Sequence, residues 1–382
     1  MPKKPRRLLT IAHSYVVALN RRLAHELARA GGGDWEVTAV APSFFHGDLR
    51  PIELERHAGE ACHLEPVHAF MTRHIHCFVY GPRLRAILRQ SWNLVHCWEE
   101  PYILAGGQIA WWTPRRTPYV FWTGQTLLKP YPPPFSMIER YCLERCSGWM
   151  ARGELGVAAM LRRGYGCRPH RVFPLGVDTS RFCPDAAARG EVREWLGWTD
   201  STPVVGFAGR FVEEKGLALL MRVLDRVRAP WRMLFLGGGP MEADIRAWAA
   251  RYDDRVRIVK VIHDEVPRYL NAIDLLCAPS QTTARWREIF GRMLIEAFAS
   301  RVAVIASSSG EIPNVVKDAG VIVGEQDEDG WVCELERMLD DSRARMEIAR
   351  RGFERAHAVY AWPVVARHHL EFFAELLERA AA

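Results

Sequence analysis

The stretch that decides the fold is "PVVGFAGRFVEEKG", residues 203–216. Its first half is an apolar run of strand length. Its second half is a charged turn bounded by Gly209 and Gly216, after which a helical pattern begins. Strand, turn and helix in that order form the repeating unit of a parallel sheet. Downstream, "RMLFLGGGP", "RVRIVKVI", "DLLCAPS", "VAVIAS" and "GVIVG" continue a series of buried strands. Upstream, "LLTIA" (8–12) reads as a strand and "VVALNRRLAHELARA" as an amphipathic helix closed by "GGG" (31–33). The strands "WEVTAVAP", "NLVHCW", "PYVFWTG" and "RVFPLG" follow. The pattern predicts two α/β units in tandem. The stretch 176–203, rich in Pro, Gly and Asp and short of strand signals, reads as the linker, giving domains over 1–180 and 190–358.

Bulk composition agrees with two cores: 382 residues, 49% hydrophobic and 25% charged. No apolar run follows the basic start "MPKKPRR", and no uncharged stretch approaches the ~20 residues that span a bilayer, so a cytoplasmic protein is expected. Nine cysteines without a Cys-x-x-Cys pair suit buried thiols rather than a disulfide framework or a zinc site. Cys142 and Cys146 share a helical spacing and "HIHC" (74–77) carries metal-ligating residue types, but neither has a second half. Charge is uneven. Residues 1–180 hold 23 Lys and Arg against 14 Asp and Glu, and the remainder holds 28 against 31. Ten of the 14 histidines also lie in the first part. A basic, aromatic first half suits an anionic membrane surface, nucleic acid, or an acidic or sugar-bearing substrate, or is simply a solvated basic face.

In open parallel sheets, ligands bind beyond the carboxyl ends of strands, where helix N-termini offer free N–H groups. "GRFVEEKG" (209–216) is such a loop, and its Arg210 and Lys215 supply a fork and a point charge suited to a diphosphate. "LGGGP" (236–240) is a second glycine-rich turn, and neither is a Walker A loop or a Gly-x-Gly-x-x-Gly fingerprint. In "REIFGRMLIEAFAS" (287–300) a helix starting near Phe290 would gather Phe290, Met293, Leu294, Ala297 and Phe298 on one side. Glu296 would then point off the core and Glu288 would precede the first turn.

The order of these motifs carries more than any one of them. "GVDTSRFCP", "GRFVEEKG", "LGGGP", "DLLCAPS", Glu288 followed after seven residues by Glu296, and then "SSSGEIPNVV" resemble the retaining glycosyltransferases of family 4. The resemblance is strong over about 171–323. It is weaker before, where "HSYVVALNRRLAHELA", "HCWEEP" and "YPPPFSMIER" look like the N-terminal domains of the group. It implies the GT-B fold, two Rossmann-like parallel-sheet domains facing an interdomain cleft, with a helix at about 360–382 crossing back to the first domain.

The resemblance also implies roles. Arg210 and Lys215 would hold the donor diphosphate beside Gly209 and stabilise the leaving group. Glu296 would accept from the ribose hydroxyls and Glu288 from those of the transferred sugar. The N–H groups of Ile289, Phe290 and Gly291 would lie near sugar and phosphate. There are departures: "EIFG" stands where many relatives have Glu-Gly-Phe-Gly, and "AHSYVVALN" where many have a Gly-Gly pair, so His13 or Tyr15 would approach the donor. No histidine follows "YVFWTGQ". A general base is therefore unassigned, and His13, His96, Glu99, Glu100 and Gln125 are the acceptor-side candidates.

The expected activity is retaining transfer of a hexose from a UDP-linked, or next a GDP-linked, sugar to a hydroxyl acceptor, without cofactor or metal. Asp327 and Asp329 of "QDEDGW" are read as helix N-terminal acids rather than metal ligands. The acceptor would be a glycan, a lipid-linked molecule or a small metabolite. Peripheral association with the inner membrane face is expected, and nucleic acid is not. A non-catalytic nucleotide-sugar scaffold and an epimerase-like GT-B enzyme are the alternatives.

Overall fold

The structure, a computed structural model, describes residues 4–47 and 51–381. The first three residues of the basic start and the last residue of the expected final helix lie outside the described residues. The chain divides into two compact units, 1–174 with 362–382, and 175–361.

In the first unit, seven parallel strands stand in the order His170–Val172, Gly148–Ala151, Tyr119–Thr123, Leu94–Cys97, Arg6–Ile11, Trp35–Pro42, His63–Val67. Strand order reverses between Arg6–Ile11 and Leu94–Cys97, so the loops after these two strands diverge to opposite faces and leave a crevice. Leu94–Cys97 and Tyr119–Thr123 are buried at every position, as expected for central strands covered on both faces. The first helix starts later than its amphipathic pattern suggests, at Arg22–Gly31, preceded by two 3-10 turns, His13–Val16 and Ala18–Arg21. The cause is Arg21. Its buried guanidinium donates to Glu60 at 2.7 Å and to the carbonyls of Tyr15 and Glu55, which holds the segment before it off the helical path. The helix Trp362–Ala381 completes this unit, with Phe372, Phe373 and Leu376 buried in one cluster with Leu23, Leu27 and Trp35.

The second unit carries six parallel strands in the order Val256–Val259, Arg232–Gly238, Val204–Arg210, Leu275–Ala278, Ala303–Ser307, Val321–Val323. Its reversal falls between Val204–Arg210 and Leu275–Ala278. The segment read as a linker is not structureless: it holds the helix Ala186–Trp195, capped by the Asp185 carboxylate on the Ala188 N–H. Arg189 and Arg193 of this helix grip Asp274 at 2.7 and 2.5 Å, which ties it to the unit's sheet. Asp327 caps the helix Glu328–Asp340, and Asp329 pairs with Arg226 at 2.5 Å, so both acids are engaged at that helix start.

Candidate functional site

Three loops at the carboxyl edge of the second sheet converge on Glu288. The loop after Val204–Arg210 brings Lys215, whose Nζ donates to Glu288 Oε2 at 2.5 Å and lies 5.1 Å from the centre of the Trp286 ring. The loop after Leu275–Ala278 brings Ser280, whose hydroxyl donates to the same oxygen at 3.1 Å. The loop after Ala303–Ser307 brings Glu311, whose N–H donates to the Glu288 carbonyl at 2.9 Å. Lys215 and Ser280 therefore reach one carboxylate from either side of the strand-order reversal, where a parallel sheet opens to a ligand. Both side-chain bonds fall on Oε2, so the lone pairs of Oε1 remain to accept hydroxyls.

Two glycines make this approach feasible. Gly216 has φ +71°, and a Cβ there would stand 1.8 Å from the Pro279 carbonyl oxygen. Gly310 has φ +55°, and a Cβ would stand 2.0 Å from the Glu288 carbonyl oxygen. Gly310→Ala is expected to destabilise the unit by roughly 1–2 kcal/mol through the left-handed backbone alone, and to displace Glu288. A urea midpoint unchanged from wild type would refute this.

Arg210 ends its strand exposed to solvent, and its guanidinium has no hydrogen-bond or ion-pair partner among the described residues. Gly209 precedes it. "LGGGP" is used locally: the Gly238 carbonyl accepts from Phe211 N–H at 2.9 Å and Met241 N–H donates to the Phe211 carbonyl at 3.0 Å, which fixes the loop carrying Lys215. Phe290 is buried, Ile289 is exposed, and Gly291 is the N-cap of the helix.

That helix runs Arg292–Ala299, two residues later than its apolar pattern implied, and Glu296 does not point into solvent. It is buried, with His263 Nε2 3.9 Å from its carboxylate. Burial pushes its pKa up to about 7, partly offset by Arg292 and Arg181. The neutral carboxyl is thus favoured in the folded state, and stability from this group is full below the ordinary 4.5 and is lost as pH rises through 7. At about 1.4 kcal/mol per tenfold in proton affinity, the loss is about 3 kcal/mol. Glu296→Gln should remove this decline from a urea-midpoint profile against pH, and parallel profiles for the two proteins would count against it.

The first unit holds a second pair across its own reversal. His13, after Arg6–Ile11, meets Glu99, after Leu94–Cys97. Glu99 accepts from His13 N–H at 2.5 Å, lies 2.6 Å from His13 Nδ1 and accepts from Tyr80 hydroxyl at 2.6 Å. A carboxylate fixing one ring nitrogen is the arrangement that orients a histidine base. His13 lines a cleft of about 610 Å³ together with Asn20, His46, Thr72 and Arg73. The other acceptor-side candidates do not line it. His96 is fully buried, its Nδ1 3.0 Å from Thr10 Oγ1. Glu100 is occupied by the Thr123 hydroxyl and Gly124 N–H, both at 2.7 Å, and burial raises its pKa. Gln125 is held by Glu139, Tyr131 and Arg163. Tyr15 is buried against Thr10. His46, in the three-residue strand Phe44–His46, and Arg73, Trp286 and His263, in loops or turns, escaped the sequence reading, since none lies in a segment long enough to carry a periodic or motif signal.

Comparison with solved structures places the whole chain in one class. It aligns over 98% of its length with sucrose-phosphate synthase of Thermosynechococcus elongatus, TM-score 0.72 at 20% identity, and with a glycosyltransferase of Rickettsia africae, TM-score 0.76 at 15% identity, covering 100% of each. The fold is that of the GT-B glycosyltransferases. Residues 202–341 match the family model for Glycosyl transferases group 1.

Among curated relatives, the chain is 30% identical over 201 residues to the GDP-mannose-dependent monoacylated alpha-(1-6)-phosphatidylinositol monomannoside mannosyltransferase of Corynebacterium glutamicum, covering 50% of this chain and 53% of that one. It is 32% identical over 237 residues to the D-inositol 3-phosphate glycosyltransferase of Xylanimonas cellulosilytica, covering 58% and 55%. The chain spans about half the length of the curated relatives it matches.

Proposed function

We propose that this protein is a retaining glycosyltransferase that moves a hexose from a nucleoside diphosphate sugar to a hydroxyl of an acceptor. The observation that carries the proposal is the convergence of Lys215 and Ser280 on Glu288 at the strand-order reversal of a group 1 domain. Lys215 and Arg210 meet the diphosphate and stabilise the charge that develops on it as the glycosidic bond breaks. Glu288 accepts from the sugar hydroxyls through Oε1, and Glu296 from the ribose. On the first unit, His13, oriented by Glu99, takes the acceptor proton. The bond from anomeric carbon to phosphate oxygen breaks, the bond to the acceptor oxygen forms on the same face, and nucleoside diphosphate leaves.

The names of four relatives specify GDP-mannose, so GDP-mannose stands beside UDP-sugars as the donor to try. The phosphatidylinositol mannosides and inositol phosphate in relatives' names support a lipid-linked or phosphorylated polyol acceptor. Transfer is proposed to need no divalent metal, and undiminished turnover in EDTA is the check. The donor reading is tested by a thermal-shift screen of nucleotide sugars on the wild type and Arg210→Ala. One donor should stabilise the wild type, and about tenfold more should be needed for the variant, the loss expected for one charged diphosphate contact. No shift with any donor would sink the reading.

A further inference from the structure

The cleft that holds His13 has an unusual rim. Between the short strands Ala69–Phe70 and Val79–Tyr80, the chain makes two successive tight turns, closed by His74 N–H on the Met71 carbonyl at 3.0 Å and Cys77 N–H on the His74 carbonyl at 2.8 Å. These turns hold three large apolar side chains outward: Phe70 is 48% exposed, Met71 59% and Ile75 41%. Arg73, His74 and His76 are exposed among them. Thr72, Arg73 and Ile75 also line the cleft, so the same loop faces the site and the solvent.

The charge along this stretch of the chain is of one sign. From 66 to 98 the sequence has no Asp or Glu and contains Arg73, Arg83, Arg85 and Arg89, of which Arg83 is paired with Glu65. Arg85 and Arg89 are exposed on the helix Pro82–Leu88 and at its end. Apolar side chains standing clear of the surface cost free energy in water, and cations without acids attract an anionic plane. A protein partner would be expected to answer the arginines with individually placed acids in a shaped interface, whereas exposed Phe, Met and Ile around Arg73, followed by a helix with exposed arginines, match a bilayer, which offers a diffuse anionic layer over hydrocarbon.

We propose that the loop 70–76 docks the first unit on an anionic lipid bilayer, with Phe70, Met71 and Ile75 entering the acyl boundary and Arg73, Arg85 and Arg89 meeting headgroup phosphates. The cleft then opens at the membrane surface, where a lipid-linked acceptor can present its headgroup to His13 without leaving the bilayer. The role given to the cleft rests on the transferase reading; the docking itself does not.

The test is co-sedimentation of the full chain with vesicles of phosphatidylcholine, alone or mixed with phosphatidylglycerol, at low and high salt. The variants are Phe70→Ser/Met71→Ser/Ile75→Ser and, separately, Arg85→Glu/Arg89→Glu. The wild type should bind the mixed vesicles and each variant about tenfold or more weakly, from lost apolar burial in the first and lost headgroup attraction in the second. Far-UV circular dichroism and the donor thermal shift should be unchanged, which separates lost docking from lost folding. Vesicle binding by the triple variant equal to the wild type, or no wild-type binding at low salt, overturns the proposal. So does a wild type that is dimeric by light scattering while the triple variant is monomeric, since the patch would then be covered by a second copy. Vesicle binding with no donor shift would leave the docking standing and remove the transferase reading.

Discussion

Glu288→Gln is expected to fold yet to transfer sugar about 10²- to 10³-fold more slowly, because the neutral amide no longer positions the Lys215 ammonium that is aimed at the developing charge. The amide keeps the size of the carboxylate and can still accept from the Ser280 hydroxyl, which in the native protein lies 3.1 Å from Oε2. It cannot anchor Lys215 as a counter-charge. The ammonium sits 2.5 Å from the carboxylate, with the two side chains only 15% and 9% exposed, so each charge depends on the other for solvation. Lys215→Ala leaves the carboxylate nearly buried with one hydroxyl donor, and should lower stability by no more than roughly 3–5 kcal/mol as well as transfer. Turnover and the urea midpoint should therefore fall in both variants, since Glu288→Gln leaves the Lys215 ammonium without its counter-charge as Lys215→Ala leaves the carboxylate without its own. Wild-type turnover in Glu288→Gln would reduce the pair to a structural strut between two loops.

Acidification should unfold the first unit before the second. His96 and His369 are fully buried with ring centres 6.3 Å apart, packed among Trp98, Phe173 and Phe373. Burial pushes His369 down from 6.5 to about 4, and drives His96 well below its ordinary value with His369 adding to the effect. The unfolded chain therefore takes up protons that the folded unit refuses. Stability is full above 6.5 and is lost as pH falls through the folded value near 4. His369 alone accounts for about 3 kcal/mol at 1.4 kcal/mol per tenfold in affinity, and His96 adds to it. The stacked Trp98 and Trp122, 4.9 Å apart, should give an exciton-coupled circular-dichroism band, and the part of it lost in a Trp98→Phe control is a signal local to the first unit among the 14 tryptophans. His369→Gln should shift the acid midpoint of that signal downward, and an unmoved midpoint would show that other groups govern acid unfolding.

The symmetry of the two charged pairs explains much of what the sequence made visible. Central parallel strands are covered on both faces, so "PVVGFAG" and "VAVIAS" stand out as unbroken apolar runs, and the loops after them can be located by counting. Lys215 and Glu288 were legible because a charged loop and an acid before a helix fall at such strand ends. The edge strand His63–Val67 was not, since "HLEPV" is half polar and its Pro66 reads as a breaker. Gly148–Ala151, four residues long, is too short to signal.

Glu296 was placed off the core because a helical wheel knows only its own helix, whereas His263 and Arg181 arrive from distant segments to enclose it. His96 looked available at a strand end, but the sheet continues past it and Phe373 of the last helix covers the ring. The cleft wall at His46 and Arg73 comes from short hairpins, whose residues carry no period.

The return of the helix Trp362–Ala381 to the first unit also has a bearing on biosynthesis. The N-terminal segment leaves the ribosome with part of its hydrophobic face uncovered, since Phe372, Phe373 and Leu376 are made only after all of 175–361. The second unit, continuous in sequence, has everything it needs to fold while the first still waits for its closing helix. During that interval the exposed face around Leu23, Leu27 and Trp35 is a natural client for chaperones that bind nascent chains, and translation pauses late in the message would prolong its exposure.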